Sequence, residues 1–94
     1  MQIITTLMGA NFRPASAKEI LREAAIGQYL DLEPDPENEY DATAVKILID
    51  GEHVGFIAAK DNKRVFEHLM EGNEAQAEIV SFESPLKPLL EINL

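Results

Sequence analysis

The chain reads as a small α+β domain, mostly β, in which six short strands curl into a barrel and two short helices plug its openings. Three features of the 94-residue sequence lead there. Short runs rich in Ile, Val, Leu and Thr recur from end to end, bounded by Gly, Pro, Asn or Asp. An Asp-Gly pair, a strong short-range hairpin signal, sits between two of these runs. Only two stretches space their apolar residues for a helix. So short a chain has material for one core, and residues 1–94 are expected to form a single domain.

The elements follow in order. Gln2 to Leu7, rich in Ile and Thr, predicts the first strand, and Gly9, Asn11 and Pro14 mark a loop. Ser16-Ala17-Lys18-Glu19 has capping-box spacing: the serine hydroxyl accepts from the Glu19 N–H, and the glutamate reaches back to the N–H of Ser16. Ile20, Leu21, Ala24 and Ala25 continue at helical spacing to Gly27, so a helix is expected over about Ala17 to Ala25. Tyr29, Leu30 and Leu32 suggest a strand running into the Pro34-Asp35-Pro36 loop, where two prolines forbid a central strand. Ala44 to Asp50 alternates, with Val45, Ile47 and Ile49 on one face. Asp50-Gly51 turns the chain back into Val54 to Ala58. A second helix is expected from Asp61 or Asn62, with Val65, Phe66, Leu69 and Met70 as core and Gly72 as its stop. Glu74 to Phe82 and Lys87 to Leu94 read as the last strands, separated by Ser84-Pro85. The order is β-α-β-β-β-α-β-β.

Composition removes several function classes. With no Cys there are no disulfides, thiolate metal sites or thiol nucleophiles, which fits a reducing cytoplasm. Met1 to Ala10 has no basic n-region, and no apolar run approaches the roughly 18–20 residues of a membrane helix. The expected location is cytoplasmic, with no membrane partner. His53 and His68 are the only histidines and no Gly-x-Ser-x-Gly turn occurs, so a catalytic triad and enzyme activity are not expected. Seventeen acids against eight bases give a net charge of −9, which opposes non-specific DNA binding and confines any such contact to a local basic spot.

The acids cluster: Asp31, Glu33, Asp35, Glu37, Glu39 and Asp41 take every second position. An EF-hand loop counted from Asp31 needs Gly and Glu where Pro36 and Ala42 stand. A nuclease-like pattern, Pro34-Asp35 followed by Ala44-Val45-Lys46, lacks its second acid at Ala44. No cofactor or metal is expected beyond a weak surface Ca²⁺ or Mg²⁺ site, and a solvated acidic loop is the plainer reading.

The specific signal is the segment Leu32-Glu33-Pro34-Asp35-Pro36-Glu37-Asn38-Glu39-Tyr40-Asp41-Ala42-Thr43-Ala44-Val45-Lys46-Ile47. Its acidic-proline turn, Asn-x-Tyr-Asp and x-x-Ala-Val strand resemble the signature of the HIRAN domain, a family found in helicase-like remodelling ATPases and as stand-alone bacterial or phage modules. Val54-Gly55-Phe56-Ile57 and the opening Gly9-Ala10-Asn11-Phe12-Arg13 are similar to the family's other motifs, in the same order.

The resemblance implies an OB- or SH3-like barrel that binds the free 3′ end of single-stranded DNA, in repair- or replication-type processes. It makes Phe12 and Tyr40 stacking platforms, with Phe56 beside them, and gives Asn38 a hydrogen bond to base or backbone. Asp41 accepts from the terminal 3′-hydroxyl and rejects a phosphate at the same spot, and Arg13 grips a phosphate. The chain departs from the family pattern where charge matters. Ala10-Asn11, Phe56 and Ala58-Ala59 stand where the eukaryotic member has basic residues or His, and Glu37 replaces a neutral one.

Each residue also has a plainer reading. Tyr40 packs a turn, Asn38 and Asp41 satisfy local N–H groups, and Phe12 and Phe56 fill the core. The alternative function is an acidic interaction or DNA-mimic module docking through Glu33, Glu37 and Glu39 on a basic partner, for example a nucleic-acid-processing protein.

Overall fold

The computed structural model describes all of residues 1–94. Its strands are β1 (Gln2–Met8), β2 (Tyr29–Pro34), β3 (Val45–Ile49), β4 (Glu52–Ile57), β5 (Gln76–Ser84) and β6 (Lys87–Asn93). Helix α1 (Ala15–Arg22) lies between β1 and β2, and α2 (Asn62–Met70) between β4 and β5. A single 3-10 turn precedes each helix, at Ala10–Phe12 and Ala59–Asp61. All neighbouring strands are antiparallel and close in the order β1-β4-β3-β2-β5-β6. The expected six-stranded, OB-like barrel with two helices is the architecture found.

Strand periodicity builds the core. Val45, Ile47 and Ile49 are buried as their alternation requires, and the same period of two buries Leu30, Ala77 and Ile79, Leu90 and Ile92. Leu21 from α1 and Val65 from α2 join this cluster, α1 lying on β4 and α2 on β2 and β3. Asp50 and Gly51 both take positive φ, 49° and 82°, as a tight hairpin turn demands.

Two local features of β4 shape its outer surface. Ile47 pairs with Gly55 while the next residue, Leu48, pairs with His53, so Val54 is the extra residue of a β-bulge. Residues three apart would otherwise face opposite sides of a strand. The bulge instead turns His53 and Phe56 to the same outer side, where their rings meet edge to face with centroids 4.7 Å apart. At Gly55 a Cβ would stand 2.5 Å from Leu7 Cδ2 and 2.9 Å from the Met8 carbonyl oxygen, so only glycine lets β1 approach β4 this closely.

Several boundaries differ from expectation. The capping box does not form: the Pro14 carbonyl accepts from Lys18 N at 3.1 Å and opens α1 at Ala15, placing Ser16 inside the first turn. The Ser16 hydroxyl donates to Glu52 at 3.3 Å, and Glu19 lies 3.7 Å from Arg22. Ala24 and Ala25 fall outside the helix because Gly27 N already donates to Ile79 O at 2.8 Å, drawing the chain toward β5.

Asp61 precedes α2 without capping it; its carboxylate accepts from Thr5 Oγ1 at 2.7 Å and Lys60 Nζ at 3.0 Å, tying the second 3-10 turn to β1. Met70, expected in the core, is 53% exposed, because it sits about a quarter-turn off the stripe made by Val65, Phe66 and Leu69. Pro34 ends β2 opposite Val45, where the ladder stops and its missing N–H costs nothing. The β5 strand is Gln76–Ser84 instead of Glu74 to Phe82, and Pro85-Leu86 forms the last turn. No helix is long and apolar enough to cross a membrane.

Candidate nucleic-acid interface

The segment between β2 and β3 is held by its own side chains. Asn38 Nδ2 donates to Asp35 Oδ2 at 3.1 Å, while Asn38 Oδ1 accepts from the N–H groups of Tyr40 and Asp41 at 2.9 and 3.0 Å. Asp41 Oδ1 accepts from Thr43 N at 3.0 Å, and Asp41 Oδ2 from Asn62 Nδ2 at 2.8 Å. The single Thr43 hydroxyl proton has two acceptors, Asn62 Oδ1 at 2.8 Å and Asp41 Oδ1 at 3.1 Å. The local reading of Asn38 and Asp41 therefore holds: both satisfy neighbouring backbone donors.

With its backbone clamped, the Tyr40 side chain projects into solvent at 94% exposure. It does not pack the turn as the plainer reading requires.

Beneath Tyr40 lies a cavity of about 270 Å³. Asn38, Tyr40, Asp41 and Asn62 line it together with Met8, Gly9 and Phe56. Gly9 turns with φ 82°, carrying the chain from β1 into the first 3-10 turn over Phe56. Two other clefts, of about 400 and 640 Å³, contain none of Asn38, Tyr40, Asp41 or Phe56.

The N–H of Thr43 and then the Asn62 amide hold the Asp41 carboxyl below the usual carboxylate range, outweighing the opposing effect of burial. Asp41 is thus ionised and accepts only, with a lone pair of Oδ2 free beside the Asn62 bond. A neutral hydroxyl suits that oxygen and a phosphate does not.

The family model described as HIRAN domain matches residues 2–93. The chain belongs to the HIRAN domain family. A crystal structure of a protein from Lactobacillus plantarum is similar to it at TM-score 0.85 and 15% identity, over 98% of this chain and 93% of that one. The crystal structure of the HIRAN domain of human HLTF is similar at TM-score 0.77 and 14% identity, over 97% of this chain and 72% of the other. Among curated proteins there is no sequence match.

In this HIRAN domain the remaining residues singled out from the sequence lie around the cavity's walls or apart from them. Phe12 does not line the cavity; it closes the first 3-10 turn, 91% exposed, and is not a core residue. Phe56 is half-buried on the outer side of the barrel and does line it. Arg13 lies outside it, its Nε donating to the His53 carbonyl at 2.9 Å. Glu33, Glu37 and Glu39 are exposed, and none is in an ion pair. No three acidic or histidine side chains are grouped to hold a metal ion.

Sequence reasoning missed two residues. Asn62 falls on the stripe shared with Val65, Phe66 and Leu69, and a polar residue at a buried helical position needs a partner; that signal was readable. His53 owes its place to the bulge, which alternation does not announce.

Proposed function

We propose that this HIRAN domain is a non-catalytic module that takes the free 3′-hydroxyl end of single-stranded DNA, serving repair- or replication-type processes. Family membership supports a nucleic-acid partner, and the observation that carries the finer reading is Tyr40. A 94%-exposed tyrosine, its backbone N–H fixed at 2.9 Å by Asn38 and its ring beside a small cavity, has no structural task. Its backbone is fixed before any base arrives, so stacking has only the side-chain rotamer to order. In this reading the terminal nucleoside enters between Tyr40 and Phe56, and Asp41 accepts from its 3′-hydroxyl. Phe12 supplies a platform for the next base, and Arg13 faces a phosphate. Fluorescence anisotropy with a short labelled strand tests it. Tyr40→Ala and Phe12→Ala are expected to weaken binding by roughly 1–3 kcal/mol each with the fold unchanged; unaltered affinity in both variants sinks the reading.

The acidic docking function rests on a separate observation, that Glu33, Glu37 and Glu39 are exposed and free of ion pairs. It predicts the reverse: loss of partner capture on charge reversal at these three, with Tyr40→Ala silent.

A further inference from the structure

A chain of net charge −9 must place its few free cations well if it is to hold DNA. Three of them are spent: Arg22 on Glu19, Lys60 on Asp61 and Lys87 on Glu83. Arg13 and Lys46 are in no ion pair, and both lie beside the cavity on the outer side of β3 and β4.

The strand register puts them there. Lys46 pairs with Phe56, which pairs in turn with Met8, so Lys46, Phe56 and Met8 form one outward row, and the last two are cavity walls. The bulge at Val54 brings His53 to the same side, its ring against Phe56. Arg13 completes the group: its Nε is anchored on the His53 carbonyl, and its two terminal nitrogens have no protein partner.

The charges at His53 report what this surface lacks. Burial first, then the Arg13 guanidinium and Lys46, hold the imidazole below its usual pKa, while its bond to the Gly55 carbonyl and the Asp35 carboxylate pull the other way. Asp35 is itself occupied by Asn38, and Glu33, opposite Lys46 in the register, does not reach within ion-pair distance of it. An arriving anion relieves the repulsion between Arg13 and Lys46 and gains a forked guanidinium and an ammonium, with His53 adding an imidazolium once it takes up a proton.

We infer that Lys46, His53 and Arg13 form a phosphate track that carries the linkages just 5′ of the terminal nucleoside across the outer face of β3 and β4. The inference rests on the DNA-end reading above and adds the direction in which the strand leaves the cavity. It also joins Lys46 and His53 to Arg13, the one base that the sequence reading gave a phosphate.

The test uses the full chain and a short oligothymidylate with a 3′-hydroxyl, titrated by anisotropy at several salt concentrations, with circular dichroism as the check on folding. Lys46→Gln is expected to weaken binding roughly three- to tenfold and to reduce the slope of log affinity against log salt by about 0.7. A strand whose last two linkages are methylphosphonates should bind wild type as poorly, and Lys46→Gln should then cost nothing further. His53 takes up a proton beside the phosphate, so wild-type affinity rises as pH falls from about 7.5 to about 5.5, and His53→Gln loses that rise. If Tyr40→Ala removes binding but Lys46→Gln and His53→Gln leave affinity and salt slope unchanged, the track is wrong and the cavity reading stands. If wild type binds no strand end, the cavity reading fails and the track fails with it.

Discussion

Asn62 reaches from the start of α2 to the Asp41 carboxylate and to Thr43, at 2.8 Å each, so one buried amide clamps the turn that presents Tyr40. Asn62→Ala leaves partners without their bonds in a water-poor place and should lower stability by roughly 1–3 kcal/mol, read from the urea midpoint. Tyr40→Ala, on a side chain that touches little, should stay within about 0.5 kcal/mol of wild type in the same experiment. Asp41 adds a pH dependence of known sign. Its folded pKa is depressed below 3.8, so its contribution to stability is complete above that value and is lost as pH falls through the folded pKa. Asp41→Asn should therefore show a shallower loss of stability below about pH 4 than wild type. Asn38, Tyr40 and Asp41 were singled out together through the family resemblance, while the turn role of Asn38 and Asp41 was legible in the sequence itself because such chemistry is local. Phe12 was ambiguous, since an isolated aromatic in a loop looks alike whether it packs or projects, and only the 3-10 turn decides that it projects.

Elements whose identity depends on local patterns were read correctly: the Asp50-Gly51 hairpin, the alternating β3 strand and the order of all eight main elements. Boundaries that depend on tertiary hydrogen bonds were not. The capping box at Ser16 had the right residues, but Pro14 starts the helix two positions earlier, and no periodicity argument sees that. Ser16→Ala should accordingly cost less than about 0.5 kcal/mol, where loss of a true cap typically costs about 1 kcal/mol; thermal unfolding of the variant separates the two. The Val54 bulge was equally invisible, because it arises from how β3 and β4 pair. Its neighbour Gly55 makes the stronger demand. Gly55→Ala drives a methyl into Leu7 and the Met8 carbonyl, and should destabilise by roughly 1–3 kcal/mol in denaturant unfolding. It should also weaken DNA-end binding, since Met8 and Phe56 flank the contact and line the cavity.

At the scale of the molecule, a closed barrel leaves no strand edge to extend, so partners must be met by loops and outer faces. The loops at one part of the barrel, Gly9 to Arg13 and Asp35 to Thr43, present both nearly fully exposed aromatics, Phe12 and Tyr40. Net charge works against any long polynucleotide. On the proposed reading, contact is confined to a strand end and a few phosphates, and affinity should fall with salt along a correspondingly shallow slope. On the proposed reading, Asp41 selects a terminal hydroxyl. Anisotropy titration at low salt of one short single strand, ending either in a 3′-hydroxyl or in a 3′-phosphate, tests this most directly. Micromolar or tighter binding of the hydroxyl end is expected, with affinity at least about tenfold weaker for the phosphate end. Equal binding of both ends, or binding of neither, contradicts it.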